Sequence, residues 1–467
     1  MSETTAARPR RGIMQSLTSL CVRYVERLMP DPYLFAVILT IIVAALVAVL
    51  VDGAAPRGML EAWYGGVWGS HNIFTFAFQM VLILVTGYTL AEAPVLKRAI
   101  VRIAAKPQNQ VQGALLCFTV SAVLSLLNWG LGLVAGALVA RQVAKRLAHA
   151  HFGYLIASAF MGFIIWPQGL SSSIALANTD PGSPINVIHQ IAGITVPLRL
   201  TIFAPYSWVS VIVVLALLAV AVWRMAPEQV LTPDPAVFED STEAVAPQGK
   251  KTFAECLENL RILNVLVFAA GLAYFVLSGF ALNIASMIML FTITSALLHR
   301  TPIRFIRAFT DAAKVSGPLL LQYPLYGGLV GLLGYHAVAD GKPLQTLLAE
   351  ALVSGATTHT LPFLTFVGSV AISLFVPSGG GHWAVQGPIA VDSALALGQD
   401  SPAYLGLMSM SVAVGEGVAN MIQPFWLLPL LAIAKLHVRQ VMGFTVVAFL
   451  IGFVVLGGAT LIAPLVL

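Results

Sequence analysis

Long apolar runs separated by short polar segments divide the 467-residue chain. Nine runs read as membrane spans: residues 33–51, 74–91, 154–177, 206–223, 262–282, 284–298, 318–338, 404–433 and 442–464. A bilayer core takes roughly 20 helical residues, which sets the scale for that reading. Two further apolar stretches, 113–147 and 351–397, are broken in their middles by Asn128-Trp129-Gly130 and by Pro377-Ser378-Gly379-Gly380-Gly381-His382. We read both as re-entrant hairpins, the second over about residues 365–397, with room for an extra helix around 352–363 before it. Non-helical backbone at membrane depth persists only where protein or a wet cavity covers it, so both breaks point to a site.

Basic residues fix the sidedness. Lys97, Arg98, Arg102 and Lys106 follow the second run, Arg141, Lys145 and Arg146 follow the first hairpin, and Arg300, Arg304, Arg307 and Lys314 follow the sixth run. If both broken stretches are hairpins, these clusters all fall on one side, as cytoplasmic loops require. The expected organisation is a cytoplasmic segment 1–30, a transmembrane repeat 31–224 holding the first hairpin, a Pro- and acid-rich cytoplasmic linker 225–260 and a second repeat 261–467. In each repeat a span, a short surface segment, a hairpin and two more spans follow in the same order. Their orientation is opposite. Inverted repeats with broken elements mark secondary transporters, with the site near the midplane.

Composition narrows the class further. The chain is 58% hydrophobic and only 10% charged, against roughly 25% charged in soluble domains. Barrel strands would alternate in short segments, so the fold class is an all-α polytopic membrane protein. The net charge of +5 lies beside the apolar runs rather than along a soluble face, so it is topogenic and no nucleic-acid partner is expected. Cys21, Cys117 and Cys256 form no motif and are expected to be free thiols. No nucleotide P-loop or spaced metal-ligand set occurs, which argues against an ATP-driven pump and against an enzyme, and no cofactor is expected.

Candidate chemistry lies at the breaks. Asn128, Trp129 and Gly130 form one tip, and Ser378, Gly379, Gly380 and His382 the other. Successive glycines leave backbone N–H groups free, and a helix starting there aims its positive end at an anion. An ordinary loop outside the membrane is the alternative. Beyond each hairpin, a run holds proline and hydrogen-bonding residues at membrane depth, with Ser171 and Ser172 in the first and Glu416, Asn420 and Gln423 in the second. Such positions can couple transport to Na+ or H+, or can simply kink a helix with side chains bonded back to it. A carboxyl group such as Glu416 costs roughly 2.5–3.5 kcal/mol at the bilayer centre, so it must face protein or a cavity.

The residues 27–33 (Arg-Leu-Met-Pro-Asp-Pro-Tyr), Leu127-Asn128-Trp129-Gly130, residues 377–383 and residues 420–426 (Asn-Met-Ile-Gln-Pro-Phe-Trp) resemble the short-chain fatty acid (acetoacetate/butyrate) transporter family over nearly the whole chain. That family is similar in plan to the wider ion-transporter superfamily, whose opposed hairpins meet helix breaks around the substrate. The resemblance implies an elevator-type carrier of a small monocarboxylate in a bacterial inner membrane, with a scaffold that often forms a homodimer. It implies substrate-facing roles for Asn128, Gly130, Ser378, Gly379 and His382, and cation or substrate roles for Ser171, Ser172, Asn420 and Gln423. Sodium carriers of that superfamily often carry a Ser-Asn-Thr tip. The tips here do not, so Na+ and H+ both stay open. An exporter of larger carboxylates, a channel and an intramembrane enzyme are the competing expectations.

Overall fold

The computed structural model describes residues 32–69, 73–147, 149–228, 230–233, 235–238, 252–338, 341–374 and 376–467. The basic N-terminal tail with Cys21 and most of the motif at residues 27–33 lie outside the described residues, as do residues 239–251 of the expected linker. The described residues form helices and no β-strand.

The first half begins with α1 (Pro32–Leu50), α2 (Pro56–Trp68), α3 (Phe74–Ala91) and α4 (Pro94–Ile103). A hairpin follows, α5 (Gln110–Leu127) and α6 (Trp129–Arg146), with Asn128 alone between its arms. Next comes a broken helix: α7 (Phe152–Gly162), a 3-10 segment (Phe163–Gln168) and α8 (Ser173–Ala177). The short α9 (Val187–Ala192) and the long α10 (Pro205–Arg224) complete this half. The second half opens with α11 (Phe253–Glu258), α12 (Arg261–Leu277), α13 (Ile284–His299), α14 (Pro302–Ala313) and α15 (Gly317–Leu333). After α16 (Leu344–Ser354) comes a second hairpin, α17 (Leu361–Ser373) and α18 (Gly379–Ala396). A second broken helix, α19 (Pro402–Ala419), a 3-10 turn (Phe425–Leu427) and α20 (Leu428–Ala434), precedes α21 (Met442–Ile462).

Local chemistry explains many boundaries. Proline opens α2, α4, α10, α14 and α19, where its missing N–H costs nothing. Asn109, His151, Asn283 and Ser401 cap α5, α7, α13 and α19 with side-chain acceptors. Pro167 disrupts α-helical geometry after Gly162. Two elements differ from the expected plan. Helix α2 was not expected, because Arg57, Glu61 and three glycines interrupt its apolar pattern. Residues 355–360 are non-helical, so in place of one extra helix around 352–363 the chain has α16, ending at Ser354, and the first arm of the hairpin, α17, already starting at Leu361.

Among the described residues, five helices are long and apolar enough to cross a membrane: Phe74–Ala91, Gln110–Leu127, Phe152–Ala177, Pro205–Arg224 and Met442–Leu465. Helix α10 presents Trp208, Val209 and Ile212 outward, and α12 presents Leu266, Val267 and Leu277. Exposed apolar faces of this kind suit lipid rather than water. The broken helix 152–177 is instead buried almost throughout and forms the centre. Small residues let the first hairpin close around it. A Cβ on Gly132 would lie 1.9 Å from Ser125 Oγ, and one on Gly136 would lie 3.0 Å from Ser121 Cβ. Without a hydrophobic drive between helices in lipid, such close backbone approach supplies the packing.

Candidate functional site

The two hairpin tips meet. Trp129 at the start of α6 and Ser378 and Gly379 at the start of α18 line one small cavity of about 10 Å3. Trp166, Phe163 and Ser173 of the first broken helix complete it, with Met80 of α3, Tyr323 of α15 and Trp426 beyond the second break. The two breaks also touch each other, because Trp166 Nε1 donates to Asn420 Oδ1 at 3.0 Å. A Cβ on Gly417 of α19 would lie 2.7 Å from the Ile164 carbonyl oxygen, so only glycine permits this crossing.

One wall is aromatic. The Trp129 ring lies edge-on to Trp426 at 4.9 Å and to Trp166 at 6.4 Å between centroids. The opposite wall is polar. Tyr323 Oη and Ser378 Oγ share a hydrogen bond of 2.7 Å. Ser378 occupies the N-cap position of α18, yet its hydroxyl caps no backbone N–H. The first amides of α18, on Gly379, Gly380 and Gly381, therefore keep their donors at the positive end of an 18-residue helix. Glu416 stands behind this end. It is fully buried, and neither carboxyl oxygen has a hydrogen-bond partner among the described residues. A Cβ on Gly379 would lie 3.3 Å from Glu416 Oε2, so that oxygen points at the helix start. Uncapped glycine amides can hold a carboxylate, and a tryptophan wall suits a short alkyl group.

The remaining sequence candidates are near this cavity but engaged elsewhere. Asn128 Oδ1 accepts the Leu131 N–H at 2.9 Å, and its Nδ2 donates to the Ile83 carbonyl at 3.4 Å. Its amide thus caps α6 and ties the tip to α3. Gly130 packs on Leu84, and Gly380 packs on Phe76. Ser171 Oγ accepts the Trp129 N–H at 2.9 Å, and Ser172 Oγ caps α8. His382 turns along α18, with Nε2 2.6 Å from Gln386 Oε1. Since that amide oxygen only accepts, Nε2 carries the proton and the buried Nδ1 is a bare acceptor. Gln423 Nε2 donates to the Ser373 carbonyl at 3.3 Å, away from the cavity lining. The structure adds Tyr323 to the cavity, along with Trp166, Ser173 and Trp426 from the two proline-containing runs that hold the other candidates. One signal was available: Gln322-Tyr323-Pro324 sets polar groups and a proline inside an apolar run, as at the other breaks.

The sequence model of one family, described as short chain fatty acid transporter, matches residues 13–462. A protein of Escherichia coli (strain K12), provisionally named a short-chain fatty acid transporter, is 36% identical over 447 residues, spanning 94% of this chain and 97% of its own. A protein of the same provisional name from Haemophilus influenzae is 34% identical over 444 residues, spanning 91% of this chain and 95% of its own. Among solved structures, the Alcanivorax borkumensis YdaH transporter, described as having an unusual topology, aligns with a TM-score of 0.56 over 94% of this chain and 98% of its own. At 18% identity that likeness concerns the fold alone.

Proposed function

The chain belongs to the short chain fatty acid transporter family, and from that premise we propose that it is a cation-coupled carrier of short-chain monocarboxylates, such as acetoacetate and butyrate, across a bacterial inner membrane. The observation that carries the proposal is the uncapped glycine start of α18 facing a tryptophan wall across one small cavity. The carboxylate takes the amides of Gly379–Gly381 and the hydroxyls of Ser378, Tyr323 and Ser173. Its alkyl end packs on Trp129, Trp166 and Trp426. The cavity lining holds no arginine, so recognition rests on neutral donors. That suits millimolar to micromolar affinity, roughly −4 to −8 kcal/mol.

At about 10 Å3 the cavity has room for about one water, which needs roughly 10–15 Å3, so the tips must part to admit a substrate. In the elevator scheme the hairpins and broken helices form the moving unit, in opposed orientation. The outer helices form the scaffold and a dimer contact. Counterflow of labelled butyrate in proteoliposomes tests the proposal, with protein-free vesicles subtracted and unlabelled acids of increasing size as competitors. Saturable counterflow blocked by acetoacetate, and lost in Ser378→Leu at normal expression, is the expected result. Competition only by much larger acids would redirect the assignment to their export, and non-saturable flux would point to a channel.

A further inference from the structure

We infer that Glu416 and the substrate carboxylate share the start of α18, so that the carrier takes up one proton on Glu416 with each monocarboxylate anion and moves no net charge. The inference rests on the proposed monocarboxylate reading and assigns its coupling ion.

The geometry begins with Glu416, which is fully buried while both its oxygens lack a partner among the described residues. A buried carboxylate without a cation or donor is strongly unfavourable, so in this closed arrangement the group holds its proton. Its Oε2 points at Gly379, the first residue of α18. The helix end supplies about half a positive charge, which offsets one carboxylate in part and never two. Two carboxyl groups held a few ångströms apart in a dry site do not both ionise. An anion bound to the Gly379–Gly381 amides therefore requires a neutral Glu416.

Neighbouring groups do not relieve this demand. On the elements packed against α19, the 3-10 segment 163–168, α8, α17 and α21 carry no acidic or basic side chain. Helix α18 brings His382, whose ring is bonded to Gln386, and Asp392, which lies 13 residues along the helix from Gly379, about 20 Å at 1.5 Å per residue. Arg199 lies beside Leu200, whose carbonyl packs near Gly406, toward the other end of α19. Helix α15 brings two hydroxyls, of which Tyr323 Oη shares a hydrogen bond with Ser378 Oγ and Tyr326 Oη donates to Gln322 Oε1. Of the candidate oxygens at the breaks, Ser171 Oγ already accepts the Trp129 amide and Asn420 Oδ1 the Trp166 indole, while Gln423 Oε1 has no partner among the described residues.

The cycle balances. An ionised Glu416 in the open site gains one proton from the outer solution, an anion then binds α18, and the neutral pair is carried across. Inside, the anion leaves and Glu416 returns its proton to solution. Proton and substrate each raise the other's affinity by the same factor.

The test uses full-length protein in proteoliposomes, with butyrate as probe and protein-free vesicles subtracted. An alkaline interior should drive accumulation, and an imposed membrane potential should not. In zero-gradient exchange above about pH 6, where the probe stays an anion, half-saturation should rise about tenfold per pH unit once Glu416 begins to ionise. Glu416→Gln should still exchange, now without that pH dependence, and should fail to accumulate. Accumulation driven by voltage or by sodium in the wild type overturns the proton assignment, as does pH-driven accumulation by Glu416→Gln. If the variant does not fold, the wild-type voltage and pH measurements decide alone. Absence of wild-type butyrate counterflow at any pH would sink the monocarboxylate reading itself, a different result from counterflow that accumulates with voltage.

Discussion

Substitution of Gly379 by alanine tests the cradle directly. The added methyl would lie 2.5 Å from Ser173 Oγ, 2.7 Å from the Trp166 ring and 3.3 Å from Glu416 Oε2. Contacts below 3 Å force the neighbours to shift, and overpacking of this kind costs about 1–3 kcal/mol. Alanine in a helix recovers roughly 0.5–1 kcal/mol relative to glycine. The net loss of stability is therefore between about 0 and 2.5 kcal/mol, which a folded carrier tolerates. Substrate binding loses more. The methyl fills the space in front of the α18 amides, and one hydrogen bond to a charged group is worth roughly 1.5–3 kcal/mol. Half-saturation for butyrate should rise roughly 10- to 150-fold. Gly65→Ala is the control, because a Cβ there meets nothing within 4 Å. Counterflow titrations on both variants, with thermal unfolding in detergent measured alongside, give the comparison. Half-saturation within twofold of wild type for a folded Gly379→Ala protein would refute the placement of the carboxylate at α18.

Three further outcomes follow from the structure. Asn128→Ala removes the α6 cap and should lower stability by about 1 kcal/mol, read as a fall in melting temperature, with some activity retained because the amide faces the hairpin rather than the cavity. Gly66→Ala should push α2 from α15, since its Cβ would lie 2.2 Å from the Gly327 carbonyl oxygen. A destabilisation of roughly 1–3 kcal/mol is expected by the same thermal assay. His151 Nδ1 accepts the Tyr154 N–H, and burial pushes the imidazole below its ordinary value of 6.5. The neutral ring is thus the form the fold favours. Its contribution is present above about pH 6.5 and is lost as the pH falls through the lowered folded value. His151→Asn should flatten that part of the melting-temperature profile between pH 7 and 5.

Much of the fold was legible because its causes are local. An apolar run declares a helix in lipid wherever it falls, and Asn128, Pro167 and residues 377–381 interrupt helices through their own backbone chemistry. Helix α2 escaped notice because its apolar pattern is diluted, and it is held instead by close packing on α15 at Gly66 and Gly327. The same limit applied to the site. Both tips and Glu416 were visible as breaks and as a buried acid, whereas the meeting of Tyr323 and Trp426 at one cavity shows only once the helices are assembled.

The sequence by itself determined which segments are apolar, where they break and that an acid is buried among them, since transfer free energy and backbone restriction act residue by residue. Tertiary structure alone decided which side of each helix meets which. Asn128 turned to capping α6, His382 turned to Gln386, and Ser378 was drawn off its own helix end by Tyr323, 55 residues away in sequence. Trp166 met Asn420 across 254 residues. Such pairings depend on rotation and crossing of packed helices, which no single run of residues encodes.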